Sequence, residues 1–389
     1  MTLWLIVPRD PLIFRDGKPF TSIPGERSKS MVFPFPSTTT GAVRTRAGTD
    51  PSTGKFASNR IPELLQTPIR GPILVEMDEN GKFKKDGWLF PAPADALLVQ
   101  KQPGEEPWRY WLSPIEIPAG SISDMKGLNP VGPATNIKGK PLSQPPRYWN
   151  WIQYQAWLDE PLDEQITLKS LGIKGPEREN RTHVSVDAAS QTGLPGRLFQ
   201  TSGMEFVKSG EKNNSTTPLK DLQSLALALE TSADLQDGVG FLGGESRFAS
   251  WQKSEVKLPD FPAETRNKIL NQGSCRLILT TPALFEKGFL PAWLEQTYGV
   301  EVVAAAVPRY QTISGWDYKL RSPKPTRRLT PTGSVYFLKP KSGVSLSEKF
   351  LDEIWMHTIS DDEQSRLDGF GMALLGTWDG NLKKMEVKS

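Results

Sequence analysis

The sequence predicts an α+β protein of two ferredoxin-like (RRM-like, βαββαβ) units, the first carrying a large insertion. Three observations predict it. An order of strand, helix, two strands, helix, glycine loop and strand can be read twice along the 389 residues, the second time more compactly. The stretch Gly238-Val239-Gly240-Phe241-Leu242-Gly243-Gly244-Glu245-Ser246-Arg247 returns in altered form as Gly369-Phe370-Gly371-Met372-Ala373-Leu374-Leu375-Gly376. A count of 34 prolines and 33 glycines points to turns and loops more than to long helices. The repeat is one of pattern, not of residues. It divides the chain into an N-terminal unit over 1–258, with an insertion at about 49–180, and a C-terminal unit over 259–389.

In the first unit, Leu3-Trp4-Leu5-Ile6-Val7 reads as a buried strand. The loop after it carries Arg9, Arg15, Asp16, Lys18, Arg27 and Lys29. Ser37, after Phe33-Pro34-Phe35-Pro36, can cap a short helix through Ala47 that bears Arg44 and Arg46 and is closed by Gly48. From Thr49 to Asn180 the pattern loosens into short strand-like pieces between Pro- and Gly-containing turns. Within it, Tyr148, Trp149, Trp151, Ile152, Tyr154, Trp157 and Leu158 suggest one amphipathic aromatic helix, read as core. Arg109, between Trp108 and Tyr110, is a similar case with somewhat more scope for exposure. Arg181 to Asp187 alternates as a strand, and Leu198 to Val207 supplies another. Thr217-Pro218 then opens a helix whose Leu219, Leu222, Leu225, Ala226 and Leu229 share one face.

The second unit starts with the strand Arg276 to Leu279, followed by a short helix from Pro291 to Tyr298 stopped by Gly299. Val300 to Val307 is a buried strand with Ser334 to Leu338 as hairpin partner. Ser345 and Glu348 form a capping box ahead of Leu346, Phe350, Leu351, Ile354 and Trp355. Between the two central strands, Tyr310, Trp316, Tyr318, Lys319, Arg321, Lys324, Arg327 and Arg328 stand against the single acid Asp317. Cations interleaved with aromatics suit a single-stranded nucleic acid, whose phosphates need charge and whose unstacked bases need flat apolar faces. A solvated basic hairpin has the same composition.

Net charge is only +3, so a nucleic-acid surface must come from local clustering of this kind. Cys275, the only cysteine, excludes an internal disulfide and a cysteine-based zinc cluster. With the apolar run at Leu3 to Val7 too short for a signal or a membrane span, this fits a cytoplasmic protein. The first glycine stretch matches G-x-G-x-x-G, yet a helix precedes it and no helix follows, the reverse of a dinucleotide site. Glycine there admits φ > 0 and lets another backbone approach, which serves a phosphodiester chain or an ordinary turn. Ser185, His183 and Asp187 share a strand face, but residues two apart are separated by about 6.6 Å, beyond the hydrogen-bond reach of a catalytic triad. No catalytic residue, metal site or cofactor is expected.

Several segments resemble the RAMP proteins of CRISPR effector complexes, in particular the Cmr-three type of subunit of type III-B complexes. They are Asp10 to Phe20, Phe33 to Arg44, Arg181-Thr182-His183-Val184, Gly196-Arg197-Leu198-Phe199, Gly243-Gly244-Glu245-Ser246-Arg247 and Gly333-Ser334-Val335-Tyr336. The resemblance implies two ferredoxin-like RAMP domains, each with a glycine loop, and binding of the 5′ tag of the guide RNA (crRNA). It also implies docking on the large polymerase-like subunit and the repeated backbone subunit of the Cmr complex. Met372 and Leu374 depart from an all-small second glycine loop. The residues expected to meet RNA are Arg15, Lys29, Arg44, Arg46, Arg181, His183, Gly243, Gly244, Arg247, Lys319, Arg321, Arg327 and Arg328. The leading reading is a non-catalytic RNA-binding scaffold. The alternatives are a RAMP endoribonuclease with His183 as general acid or base, the corresponding subunit of a Csm complex, and a purely structural protein.

Overall fold

The apolar run at the N-terminus becomes the strand at the middle of the first sheet, β1 (Thr2–Pro8). Its residues alternate between two cores, Leu3 and Leu5 in one and Trp4 and Ile6 in the other, as the two-residue period of a strand requires. The computed structural model describes residues 1–15, 30–118, 120–121, 123–125, 127–208, 223–317 and 322–384. After β1 come α1 (Pro36–Gly48), β2 (Ile69–Met77), β3 (Phe83–Pro91), β4 (Ala96–Gln100), β5 (Trp108–Trp111), β6 (Tyr148–Asn150), α2 (Trp151–Asp159), β7 (Gly172–Ile173), β8 (Glu177–Val186), β9 (Gly193–Glu205), β10 (Gln223–Thr231), β11 (Gly238–Phe241) and β12 (Phe248–Ser254), with shorter pieces between them. The sheet runs β7-β6-β3-β2-β10-β1-β12-β11, each pair antiparallel.

Three local expectations give way. The helix read from Pro218 to Leu229 is, over its described part, the central strand β10. Leu225, Leu227 and Leu229 fill one core and Ala226 and Ala228 the other, so a continuous apolar run buried on both faces satisfied the helical period by accident. Leu219 and Leu222 lie outside the described residues. The strands at Arg181 and Leu198 do not enter the sheet. They form a separate two-stranded ribbon, β8 with β9, while β2 supplies the partner on the far side of β10. Finally, α1 begins with Pro36 at its first turn and has Phe35, not Ser37, at the cap position.

The aromatic residues of the row are core as expected, whereas Ile152 of the same row is 64% exposed and the helix covers only part of the row. Trp151, Tyr154, Trp157 and Leu158 of α2 are buried, and Tyr148 and Trp149 belong to β6. Arg109 is core as well: only 2% exposed, it pairs with Glu164 and lies over the rings of Trp149 and Trp157.

The second half comprises α3 (Ala263–Gln272), β13 (Cys275–Leu279), α4 (Trp293–Tyr298), β14 (Val300–Ala306), β15 (Gln311–Ile313), β16 (Arg327–Leu329), β17 (Val335–Pro340), α5 (Glu348–Ile354), α6 (Glu363–Leu367) and β18 (Ala373–Thr377). Its sheet runs β14-β17-β13-β18, again antiparallel throughout. The cap of α5 is Ser347, whose side chain accepts from the Phe350 N–H at 3.1 Å, two residues beyond the expected Ser345. Phe350, Leu351 and Ile354 are buried, as their helical spacing predicts.

The two sheets share one core. Leu3, Leu5, Ile73 and Phe90 of the first half and Leu277, Phe337 and Leu375 of the second belong to a single cluster. A fully buried ion pair crosses it. Arg276 of β13 donates to Asp95 and to the carbonyls of Trp157 and Thr377, and Trp157 Nε1 donates to Asp95 at 3.0 Å. These bonds offset the desolvation that makes a buried charge costly. The protein is thus α+β with antiparallel sheets. No helix among the described residues is long and apolar enough to cross a membrane.

Candidate nucleic-acid interface

The first glycine stretch is a hairpin: β11 pairs with β12, and the loop between them closes through the Leu242 N–H on the Arg247 carbonyl at 2.9 Å. Gly243 has φ +81, and a Cβ there would meet the Ile13 carbonyl oxygen at 2.5 Å. The Gly244 N–H donates to that same carbonyl at 2.7 Å. The close approach this glycine permits is therefore to its own chain. Above it, Glu245 lies between Arg15 at 3.3 Å and Arg247 at 3.5 Å, a surface cluster of mixed sign.

The second glycine stretch is not on the surface. Phe370, Met372 and Ala373 to Leu375 are fully buried. Gly369 has φ +93, and a Cβ on it would meet the Gly71 carbonyl of β2 at 2.7 Å, so this glycine serves close packing between the halves.

Arg44 and Arg46 of α1 are committed within the protein. Arg44 Nη1 bonds Asp368 at 2.6 Å, and its Nη2 donates to the carbonyls of Leu65 and Thr67. Arg46 donates to the carbonyls of Gln236 and Val239 and lies 5.5 Å from the Trp251 ring centroid, in space left by Gly240. Burial lowers its pKa, with Asp237 opposing. Both were expected to meet RNA. The sequence shows a charge and not its partner, and these two guanidinium groups already have theirs.

Arg181 and His183 project from the β8–β9 ribbon. Its root is fixed by the Leu12 and Met204 backbones, which bond each other at 3.0 and 2.8 Å, and by Arg178 on the Ser30 carbonyl at 3.3 Å. Beyond the root both faces are largely open, and Val184, Val186 and Leu198 are exposed apolar residues. The His183 ring stacks on Phe199 at 5.2 Å and 18°, with Nε2 at 2.8 Å from the Thr201 hydroxyl. Asp187 accepts from the Ala189 and Ser190 N–H groups in the turn of the ribbon, so it serves that turn. Phe199, named from sequence only within the segment Gly196 to Phe199, and Thr201, not named there, were not counted among the RNA contacts, although they stand opposite His183 and Arg181 in register.

Arg327 and Arg328 lie on β16, paired with β15. Arg328 stacks over Tyr310 at 4.9 Å, and Arg327 is 48% exposed with Asp362 no nearer than 3.9 Å. Lys29, Lys319 and Arg321 lie outside the described residues. No group of three or more His, Cys, Asp or Glu side chains that could hold a metal occurs among the described residues.

Fold and surface define a class: an α+β protein of two antiparallel sheets on one core, carrying cationic, aromatic β-ribbons outside it. A family model then matches residues 4–378, and the chain belongs to that family, CRISPR-associated protein (Cas_Cmr3). Among solved structures, it is similar to a chain of the type III-B Cmr-beta bound to cognate target RNA and AMPPnP, and to one of Cmr-beta bound to cognate target RNA alone. Each is 16% identical, with 86% of both chains covered and a TM-score of 0.46. It is also similar to a chain of the Csm3-Csm4 subcomplex of the type III-A interference complex, at 13% identity, 90% and 96% coverage and a TM-score of 0.34. A search of curated proteins found no match.

Proposed function

We propose that this protein is the guide-RNA-binding subunit of a type III-B CRISPR effector complex, holding the 5′ tag of the crRNA and docking the large polymerase-like and repeated backbone subunits in antiviral defence. Membership of the Cas_Cmr3 family supports this reading. The observation that carries it is the β8–β9 ribbon, which stands off the core and presents Arg181 with the stacked His183–Phe199 pair. Such a surface can hold phosphates by charge and bases by stacking. Each half is read as a ferredoxin-like RAMP unit, since β2-β10-β1-β12 and β14-β17-β13-β18 both follow the order second, third, first, fourth. The subunit acts by position and not by chemistry, and it works in the cytoplasm.

Affinity of the purified protein for tagged crRNA, measured across a salt series, tests this. Tag-dependent, salt-sensitive binding is expected. Specific cleavage of repeat RNA, lost in His183→Ala, would instead make the protein an endoribonuclease.

A further inference from the structure

A cavity of about 510 Å³ opens where the two halves meet, inside the range of roughly 300–1,000 Å³ typical of small-ligand sites. None of the residues expected to meet RNA lines it. Phe33, Phe90 and Tyr148 supply ring walls, with Phe33 and Tyr148 centroids 5.6 Å apart. Pro72, Pro91 and Pro146 are part of the remaining wall, and their fixed φ keeps the shape preformed. Of its polar lining groups, the Thr280 and Thr281 hydroxyls are bonded to backbone carbonyls, while the Gln311 amide and the Thr332 hydroxyl have no hydrogen-bond partner among the described residues.

Among the described residues, one charged side chain lines the cavity. Arg147 lines the cavity, is exposed, and has no ion-pair partner among the described residues. Gln311 belongs to β15, whose paired strand β16 bears Arg327 and Arg328. Met31, also in the lining, follows Ser30, to which the ribbon root is tied by Arg178. Lining residues of the cavity thus connect directly to both arginine-bearing ribbons.

We propose that this cavity receives one unstacked nucleobase of the bound single strand, with Gln311 and Thr332 pairing its polar edge and Arg147 meeting the adjoining phosphate. A flat heteroaromatic ring uses both the ring walls and the unpaired Gln311 and Thr332 groups, whereas an aliphatic protein side chain would leave those groups unpaired. The inference rests on the RNA-binding reading.

Ala92, a small residue of the wall, allows the cavity to be filled by Ala92→Leu. Wild type and variant are each titrated with intact guide RNA and with guides carrying a single abasic position, moved along the strand. Filling the cavity should weaken binding of intact guide about tenfold, as should one abasic position on wild type, the cost of one base stack. Combined, the two losses should not multiply, and the slope of log affinity against log salt should stay unchanged. Phe33→Ala, which removes a half-exposed wall, should behave alike if Ala92→Leu fails to fold. Wild-type affinity for intact guide in a folded variant overturns the proposal. So do losses that multiply, and so does unchanged RNA affinity with lost assembly onto the other subunits, which would make the occupant a protein side chain. Absence of any guide binding by wild type would sink the RNA-binding reading itself, and the cavity proposal with it.

Discussion

Arg70 Nη2 lies 2.5 Å from His357 Nε2, an approach that ties β2 of the first sheet to the segment after α5 in the second half. His357 Nδ1 is 2.9 Å from the Trp355 carbonyl and donates to it, which leaves Nε2 as the acceptor for Arg70. That arrangement needs a neutral imidazole. Burial first, and then the Arg70 charge, hold the His357 pKa below its usual 6.5, against Glu230 and Glu353.

Stability should therefore fall with pH in a definite window. A folded-state pKa below the unfolded one means that the unfolded chain binds more protons, so the contribution is intact above about pH 6.5 and is lost as pH drops from there through the folded value. The Arg266 guanidinium holds the nearby Asp352 carboxyl below the usual carboxylate range, outside this window. Urea unfolding between pH 8 and 5 should show this loss in wild type and a flatter profile in His357→Gln, which can still accept from Arg70. Parallel profiles would exclude the histidine as the cause.

How legible each part was follows from what a residue pattern can record. The second half was readable because its strands and helices are each amphipathic or apolar at one period, as in Phe350, Leu351 and Ile354. β10 was not, since Leu225-Ala226-Leu227-Ala228-Leu229 fits both a helix face and a strand buried on two sides. Ribbon and sheet strands also look alike locally. His183, Ser185 and Asp187 alternate with Val184 and Val186, but what distinguishes a free ribbon from a core strand is the pairing partner, which lies elsewhere in the chain. The basic residues split the same way: Arg181, Arg327 and Arg328 do project outward, while Arg44 and Arg46 are consumed by internal acceptors.

Arg44 is accordingly expected to act on stability. Its side chain and that of Asp368 are 13% and 18% exposed, and removing one partner strands the other in a half-dry setting. Arg44→Met should lower unfolding free energy by about 1–3 kcal/mol. Guide affinity of the folded fraction should not change. Loss of affinity with an unchanged melting curve would return Arg44 to the residues that meet RNA.

The two glycines of the exposed loop should separate. At Gly243, φ +81 and the Ile13 carbonyl 2.5 Å from an added Cβ make Gly243→Ala a folding defect, read as a lower melting temperature. At Gly244 an added Cβ would find Ile13 oxygen at 3.5 Å and Arg15 Nε at 3.7 Å, ordinary van der Waals distances, so Gly244→Ala should melt like wild type. Any loss of guide affinity in Gly244→Ala then reports RNA approaching the loop. Equal melting temperatures for the two variants would refute the intramolecular role given to Gly243.

The two ribbons should divide the work on RNA. On β8, Arg181 is paired with Glu179 at 2.9 Å, and the feature that sets this ribbon apart is the His183–Phe199 stack. The β15–β16 hairpin is the opposite case, with Arg327 and Arg328 on one strand and Tyr310 beneath Arg328. Charge neutralises phosphates whatever the sequence, whereas ring stacking acts on bases and can discriminate among them. Changing Arg327 and Arg328 to Ser should weaken tagged and unrelated RNA alike and flatten the slope of log affinity against log salt by about 0.7 for each phosphate no longer neutralised. Changing His183 and Phe199 to Ala should leave that slope in place and reduce the preference for the tag. Filter binding or anisotropy at several salt concentrations, on both RNAs and both variants, measures all four quantities. Identical slopes and identical tag preference in the two variants would mean that neither ribbon reads bases, and the β15–β16 hairpin would then be a solvated basic surface or a site for protein docking.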